Sequence, residues 1–423
     1  MTSFTQTADN KRGIAFRSES HERAPLSGTS KLLRDTLFNL LEYCRLHNWA
    51  GYDPYDGLNS RIYKASPFIN NRLCRFALIQ GIKRSPVNLR RLLWVPPGQN
   101  PKGIALFCSA LIKLANLGWW RDEHQIRHLL DRLVALKSPD QSFLCWGYHF
   151  DWQNRYGLLP QYEPNIVTTT FAGQALLDAY EKYGKTVFLE QAVSAGRFII
   201  NDLNIFKGKE ELCFSYSRLD RAQVHNANLL GACLLARLFT HTGEDTFFDY
   251  SCKATNFSIK RQHSDGSWFY GEDPTQLWID HFHTGYNLSA INKIGTYLGS
   301  SEYGDALQKG YAYYINTLFN EEGLPKYFHD QLFPIDIHCL SQSIITLAEL
   351  HQMDSNSLDH ASTIFHWTML NMIDKRGYFY FQKHRIYTNR ISYMRWSQAW
   401  MALAMTILAE KCLQAQVRGE NDD

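Results

Sequence analysis

The chain has 423 residues, 45% of them hydrophobic and 20% charged, the balance of a folded globular protein. A formal net charge of only +3 gives no grounds for a nucleic-acid or membrane-surface partner. Its 9 cysteines are odd in number and form no CxxC pair, so they point to neither a zinc ribbon nor a disulfide framework.

Residues 1–30 are polar, lack periodicity and lack the apolar core of a secretory signal; they read as a flexible arm. No uninterrupted apolar run is long enough to span a bilayer, which makes the cytoplasm the simplest location. From Lys31 onward the pattern is helical almost throughout. Amphipathic helices are predicted over 32–48, 121–137, 186–203, 246–261, 302–320 and 355–373. Between them run segments that are small and aliphatic along most of their length. These are GIALFCSALIKLANLG from Gly103, NIVTTTFAGQALLDAY from Asn165, VHNANLLGACLLARL from Val224, DHFHTGYNLSAINKI from Asp280, IDIHCLSQSIITLAEL from Ile335 and RISYMRWSQAWMALAM from Arg390. Amphipathic helices belong outside and uniformly apolar ones inside. Six of each in alternation predict an all-α fold, an (α/α)6 toroid over residues 31–413 with a polar tail over 414–423. Such a ring has no exposed end and needs no capping repeat. An open superhelix of helical hairpins is the competing arrangement.

Thr168, His225, His281, His338 and Arg395 follow one another at intervals of 57, 56, 57 and 57 residues. In a toroid these positions circle one opening. Three residues further along stand Phe171, Asn228, Thr284, Ser341 and Gln398, on the same helix face. Buried polar groups are costly unless paired, so a second polar tier implies a wet funnel or ligand pocket.

Asp280 and Asp336 each open an inner helix. Capping and the helix macrodipole explain carboxylates there, and a cap also holds a carboxylate in a fixed place where neighbours can shift its pKa. His281 and His283 are about 200° apart around a helix, so only one of them faces the lumen; the ring register favours His281. Asp280, His281 or His283, Asp336 and His338 could together meet a metal, but their spacing matches no zinc signature. No metal and no cofactor is expected.

Aromatic residues make up 14% of the chain, and many sit in glycine-containing loops before the inner helices. CWGYHFDW from Cys145, DGSWFYG from Asp265, GLPKYF from Gly323 and RGYFYF from Arg376 read as short extended segments at the mouth. Tyr148, Trp152, Trp268 and Tyr270 are candidate stacking platforms for a sugar ring, with His149 and Asp151 in the same first loop. NWAGYDPYDGLNS from Asn48 carries Asp53 and Asp56 on a turn-forming Asp-Pro pair and reads as folding over the opening.

With GYDPYDGLNS (Gly51–Ser60), DGSWFYG, WIDHFHTGY (Trp278–Tyr286) and DIHCLSQ (Asp336–Gln342), the chain resembles bacterial polysaccharide-biosynthesis proteins of six-hairpin toroid type (VpsJ-like), encoded with exopolysaccharide assembly systems. The resemblance covers most of the chain after the arm and implies an oligo- or polysaccharide substrate, with association to the assembly machinery. The wider six-hairpin group includes glycoside hydrolases, uronate lyases and sugar epimerases, and fold analogy does not choose among them. QHSDGSW (Gln262–Trp268) is similar to the repeat element of triterpene cyclases and prenyltransferase-like toroids. The chain has no D-x-D-D acid motif, which counts against proton-initiated cyclisation.

A carbohydrate-active enzyme is therefore expected. For hydrolysis, Asp280 and Asp336 would serve as acid and base or nucleophile, with Asp151 third. For epimerisation or elimination, His281, His283 or His338 would move the proton and Tyr286 would be a candidate acid. His225, Asn228, Gln342, Arg395 and Gln398 complete the expected binding set. The alternatives are a non-catalytic glycan-binding or assembly factor and a terpenoid-handling enzyme.

Overall fold

The computed structural model describes residues 26–66, 70–154 and 157–422, so most of the expected arm (residues 1–25) lies outside the described residues. Helices α1 (Leu26–Leu46), α2 (Arg61–Lys64) and α3 (Arg72–Arg84) come first. Then inner and outer helices alternate: α4 (Pro101–Asn116) and α5 (Glu123–Ala135), α6 (Ile166–Tyr183) and α7 (Thr186–Asn201), α8 (His225–Thr242) and α9 (Asp245–Ile259). Next come α10 (His281–Leu298) and α11 (Gly304–Thr317), then α12 (Ile337–Glu349) and α13 (Ser357–Asn371), and finally α14 (Trp400–Asp422). The backbone of α14 stays helical through 414–422, a segment expected to be a tail.

Local signals set the helix limits. Asn100, Asn165, Asp280 and Asp336 cap inner helices by accepting from the backbone N–H groups of Lys102, Thr168, His283 and His338 at 2.8–3.0 Å. Three inner helices end on a left-handed glycine, Gly184, Gly243 and Gly299, with φ of 64°, 68° and 59°. Small residues let the inner wall pack closely; a Cβ at Gly173 would lie 2.7 Å from Leu234 Cδ2.

The inner helices α4, α6, α8, α10, α12 and α14 each pack on the next, and α14 packs back on α4. This is a closed (α/α)6 toroid, not an open superhelix. The outer layer is α5, α7, α9, α11 and α13, with α1 lying against α14. Apolar side chains of both layers form one continuous core. No helix among the described residues is long and apolar enough to cross a membrane.

The segments leading into the inner helices carry the short strands. β1 (Trp152–Gln153) pairs with β2 (Leu158–Leu159), and β3 (Ile205–Lys207) with β4 (Leu212–Phe214). β5 (Ile335–Asp336), β6 (Gln382–Lys383) and β7 (Thr388–Asn389) form a third small antiparallel sheet. Backbone bridges Asn165 to Ser217, Val224 to Gly271, Asp280 to Phe328 and Tyr393 to Tyr52 join each pre-helical residue to the next loop, forming a collar around one mouth of the ring. The excursion between α1 and α4, including the 3-10 turn Asp56–Asn59, is bridged to that collar through Tyr52 and Gly51.

Candidate active site

The caps define which residues face the lumen. Two positions after the cap residues Asn100, Asp280, Asp336 and Tyr393 come Lys102, Phe282, His338 and Arg395. Their contacts show that they share one space. His338 packs against Phe282, Trp396 and Trp400 with ring centroids 4.7, 4.4 and 4.7 Å away. Lys102 Nζ stands 5.0 Å from the Trp400 ring. The last inner helix opens with a π-helical turn, Met394–Ala399. Its extra residue per turn brings Arg395, Trp396 and Trp400 all to this side.

Two histidines are set up differently. The Asp280 carboxylate accepts from His283 backbone N–H at 2.9 Å and from Trp278 Nε1 at 3.0 Å, and holds His283 Nδ1 at 2.6 Å. A carboxylate oxygen accepts, so Nδ1 carries the proton of that bond and Nε2 is the ring atom left to exchange one with a ligand. The His283 side chain is 22% exposed, and no group among the described residues bonds its Nε2. His338 lies deeper, its Nε2 bonded to the Tyr286 hydroxyl. Burial, then Lys102, Arg395 and His283, hold His338 well below the usual imidazole range, so it is neutral. Burial pushes the Tyr286 phenol far up, so it keeps its proton and donates to Nε2. The His338 proton then sits on Nδ1, a buried atom with no partner among the described residues.

Above this pair, Arg395 makes a bidentate bond to Asp53 at 2.6 and 2.8 Å, and its guanidinium stands 5.3 Å from the Tyr148 and Trp396 rings. Tyr55, Trp152, Tyr148 and Tyr216 build one side of the rim. Tyr55 lies 5.6 Å from Trp396 and 5.8 Å from Trp152, and the two phenols Tyr148 and Tyr216 are hydrogen-bonded at 2.7 Å. Tyr270, stacked on Trp278 at 4.6 Å, lies equally close to His283 on the other side.

Of the expected site residues, Asp280, His283, His338, Tyr286, Arg395, Asp53, Tyr148, Trp152 and Tyr270 therefore come together. Others do not. Asp336 is 0% exposed, and its oxygens are taken by His338 N–H, Trp396 Nε1 and Gln382 Nε2; it is a structural cap out of a ligand's reach. His281 is sealed between helices, with Tyr314 OH at 3.4 Å and Ser343 Oγ at 3.2 Å. His225 turns outward to Ser258 and Glu272, and Trp268 donates to the Ser258 carbonyl. Asp56 is buried against Arg90 at 2.6 Å. His149, pushed down to about 4 by burial, bonds Asn100. Asp151 accepts from Gln161 N–H and ties down the first loop.

The second polar tier is also structural. Asn228 bonds Phe214 N–H and the Ala254 carbonyl, and Gln398 bonds the Phe379 backbone in both directions. Thr284 and Ser341 return their hydroxyls to the carbonyls of Asp280 and His338. Gln342 is buried, bonded to Thr346 by its amide nitrogen while its Oε1 has no partner. Among the described residues no three His, Cys, Asp or Glu side chains are placed to hold a metal ion.

Sequence reasoning missed Lys102, Tyr55, Tyr216, Phe282, Trp396 and Trp400. The signal that finds Lys102, Phe282 and Arg395 is the offset of two residues from each cap; the rings carry no such mark.

No family model matches the chain, and no curated protein matches it. Solved structures do. Cellobiose 2-epimerase from Bacillus thermoamylovorans is similar with a TM-score of 0.59 at 12% identity, covering 74% of this chain and 88% of that one. A GH76 α-mannanase from Bacteroides thetaiotaomicron is similar at 0.55 and 13% identity, covering 74% and 87%. A possible GH105 member from Salmonella enterica is similar at 0.55 and 12% identity, covering 75% and 84%. At these identities the likeness concerns the fold, and it places the chain among the six-hairpin (α/α)6 toroids.

Proposed function

We propose that this protein is a carbohydrate-active enzyme of the sugar epimerase type, moving a proton at the carbon beside the carbonyl of a reducing-end sugar. The observation that carries this reading is the Asp280–His283 pair, with Nδ1 held at 2.6 Å by the carboxylate and Nε2 unbonded at the lumen. An imidazole fixed in that tautomer is a general base with a stated proton-accepting atom. Next to it His338 presents a neutral Nδ1–H, and the Arg395 guanidinium adds positive charge.

In the reaction, His283 Nε2 takes the proton from the substrate carbon, and the C–H electron pair moves into an enediolate. The His338 Nδ1–H donates to the enediolate oxygen, where the charge gathers. The enediolate turns about the bond to the next carbon so that its other face meets the His283 imidazolium, which returns the proton there and gives the epimer. Tyr286 keeps His338 in the donor tautomer, while the Tyr55, Trp152, Tyr216 and Tyr270 rings offer stacking faces to the sugar. Hydrolysis by Asp280 and Asp336 has less support, because Asp336 has no oxygen to offer.

The similarity in fold to cellobiose 2-epimerases agrees with this reading. The sequence resemblance in GYDPYDGLNS and WIDHFHTGY supports a finer context of exopolysaccharide biosynthesis in the cytoplasm beside an assembly machinery.

The test is incubation with reducing mono- and disaccharides in D2O, followed by NMR. Deuterium should enter the carbon next to the carbonyl with appearance of the epimer, and His283→Ala should abolish both. Release of sugars from a polysaccharide without any such exchange would replace epimerisation by hydrolysis.

A further inference from the structure

Four lysine and arginine residues of the described chain are buried: Arg90, Lys102, Arg237 and Arg395. Arg90, Arg237 and Arg395 have carboxylate partners, Asp56, Asp178 and Asp53, at 2.6–2.7 Å. Lys102 is 4% exposed, and no carboxylate or hydrogen-bond acceptor meets its Nζ among the described residues. Around it stand ring faces instead, Phe171 at 4.4 Å, Trp400 at 5.0 Å and Tyr286 at 5.5 Å. The same cluster contains two further unsatisfied donors, Trp400 Nε1 and His338 Nδ1. Trp400 is both a wall of the lysine's box and, at 4.7 Å, a neighbour of His338.

Burial, then the neighbouring Arg395, hold the Lys102 amine well below the usual lysine range, so its charged form needs an anion beside it, and each buried donor without an acceptor is costly as well. Aromatic faces recover only part of that cost. A neutral sugar hydroxyl would satisfy one donor and leave the charge uncompensated. An oxyanion answers the whole set, because it brings negative charge and several lone pairs together. Lys102 and His338 share Trp400 as a common wall, so a group bound at Lys102 lies in the same lumen as the site at His338.

We infer that the lumen floor is an anion subsite, with Lys102 as counter-ion and Trp400 Nε1 as accompanying donor, and that the sugar handled by this protein carries an oxyanion. This rests on the sugar-binding reading above and narrows its substrate class to acidic sugars, either carboxylates (uronates) or sugar phosphates.

Isothermal titration of the full chain with a uronate-containing disaccharide, a hexose phosphate and their neutral counterparts tests it, in wild type and in Lys102→Met. One acidic ligand should bind at least about tenfold tighter than its neutral counterpart, and Lys102→Met should bring it down to the level of the neutral one. Whether the uronate or the phosphate is preferred identifies the oxyanion. Equal binding of acidic and neutral sugars, or a preference that survives in Lys102→Met, overturns the anion subsite and leaves the sugar reading intact. Failure of every saccharide to bind overturns both. Should Lys102→Met not fold, the wild-type preference decides alone.

Discussion

Arg395 and Asp53 lie 342 positions apart in sequence, yet form a two-pronged ion pair with both side chains sealed from solvent. The pair fastens the loop that follows α1 to the first turn of the last inner helix. Removing one partner strands a charge, so Asp53→Asn should lower unfolding free energy by about 3–5 kcal/mol. Combining Asp53→Leu with Arg395→Met should recover a large part of that loss. Urea melts of the variants measure both, and a loss under about 1 kcal/mol for Asp53→Asn would show that the pair contributes little.

Asparagine caps a helix as well as aspartate does, so Asp280→Asn should keep its fold. Its amide nitrogen cannot accept from His283 Nδ1, and the imidazole proton is driven to Nε2, the atom that must act as base. Turnover should fall by about 10³–10⁴-fold, with little change in Tm. Asp336→Asn should do the reverse, with turnover retained within about tenfold and a lower Tm, because Gln382 and Trp396 lose a charged acceptor. If Asp336→Asn abolished activity in a fully folded protein, the carboxylate-pair chemistry would return.

Burial, and to a lesser degree the nearby His360, hold His281 down to about 3. The unfolded chain takes up this proton below about pH 6.5, and the native chain refuses it until far lower. Stability from this group is therefore full at neutral pH and drains away as pH falls from about 6.5 towards 3. His281→Gln, which keeps a hydrogen-bonding side chain near Tyr314 and Ser343, should lose about 3 kcal/mol less than wild type between pH 7 and pH 4. Parallel pH-stability curves for the two proteins would contradict the assignment.

Lys102→Met keeps the length of the side chain and removes a buried amine that burial already holds well below the usual lysine range. It should raise stability by about 1–3 kcal/mol while weakening ligand binding. Differential scanning calorimetry with and without ligand separates the two effects. A destabilised Lys102→Met would mean that the amine has a partner holding it in place.

The ring was legible because its period shows twice, in the apolar inner segments and in the amphipathic stretches between them. Predicted 186–203 became Thr186–Asn201, and predicted 246–261 became Asp245–Ile259. The site was read one residue out of step. Aligning His281 with His338 assumes a spacing of 57, whereas the caps Asp280 and Asp336 are 56 apart. One residue is about 100° of helix, enough to turn His281 into the wall while His283 and His338 look inward. Lys102 escaped notice because its segment began, in sequence, at Gly103. Lumen rings such as Trp400 look like any core ring until the fold shows what they face. Polar residues at Asn228 and Gln398 suggested water, but they are held by loop backbone, which no periodicity reveals.

The contact of α14 with both α4 and α1 means that the last wall of the barrel joins the first and last helices among the described residues. During synthesis, α4 must wait with one flank unmatched until the chain has emerged past Trp400. Until then Lys102 lacks its box and Asp53 lacks its arginine, so neither pocket nor strap exists in any shorter nascent chain. Closure of the ring, and with it the lysine's aromatic box and the Asp53 strap, is therefore an all-or-nothing property of the final hairpin.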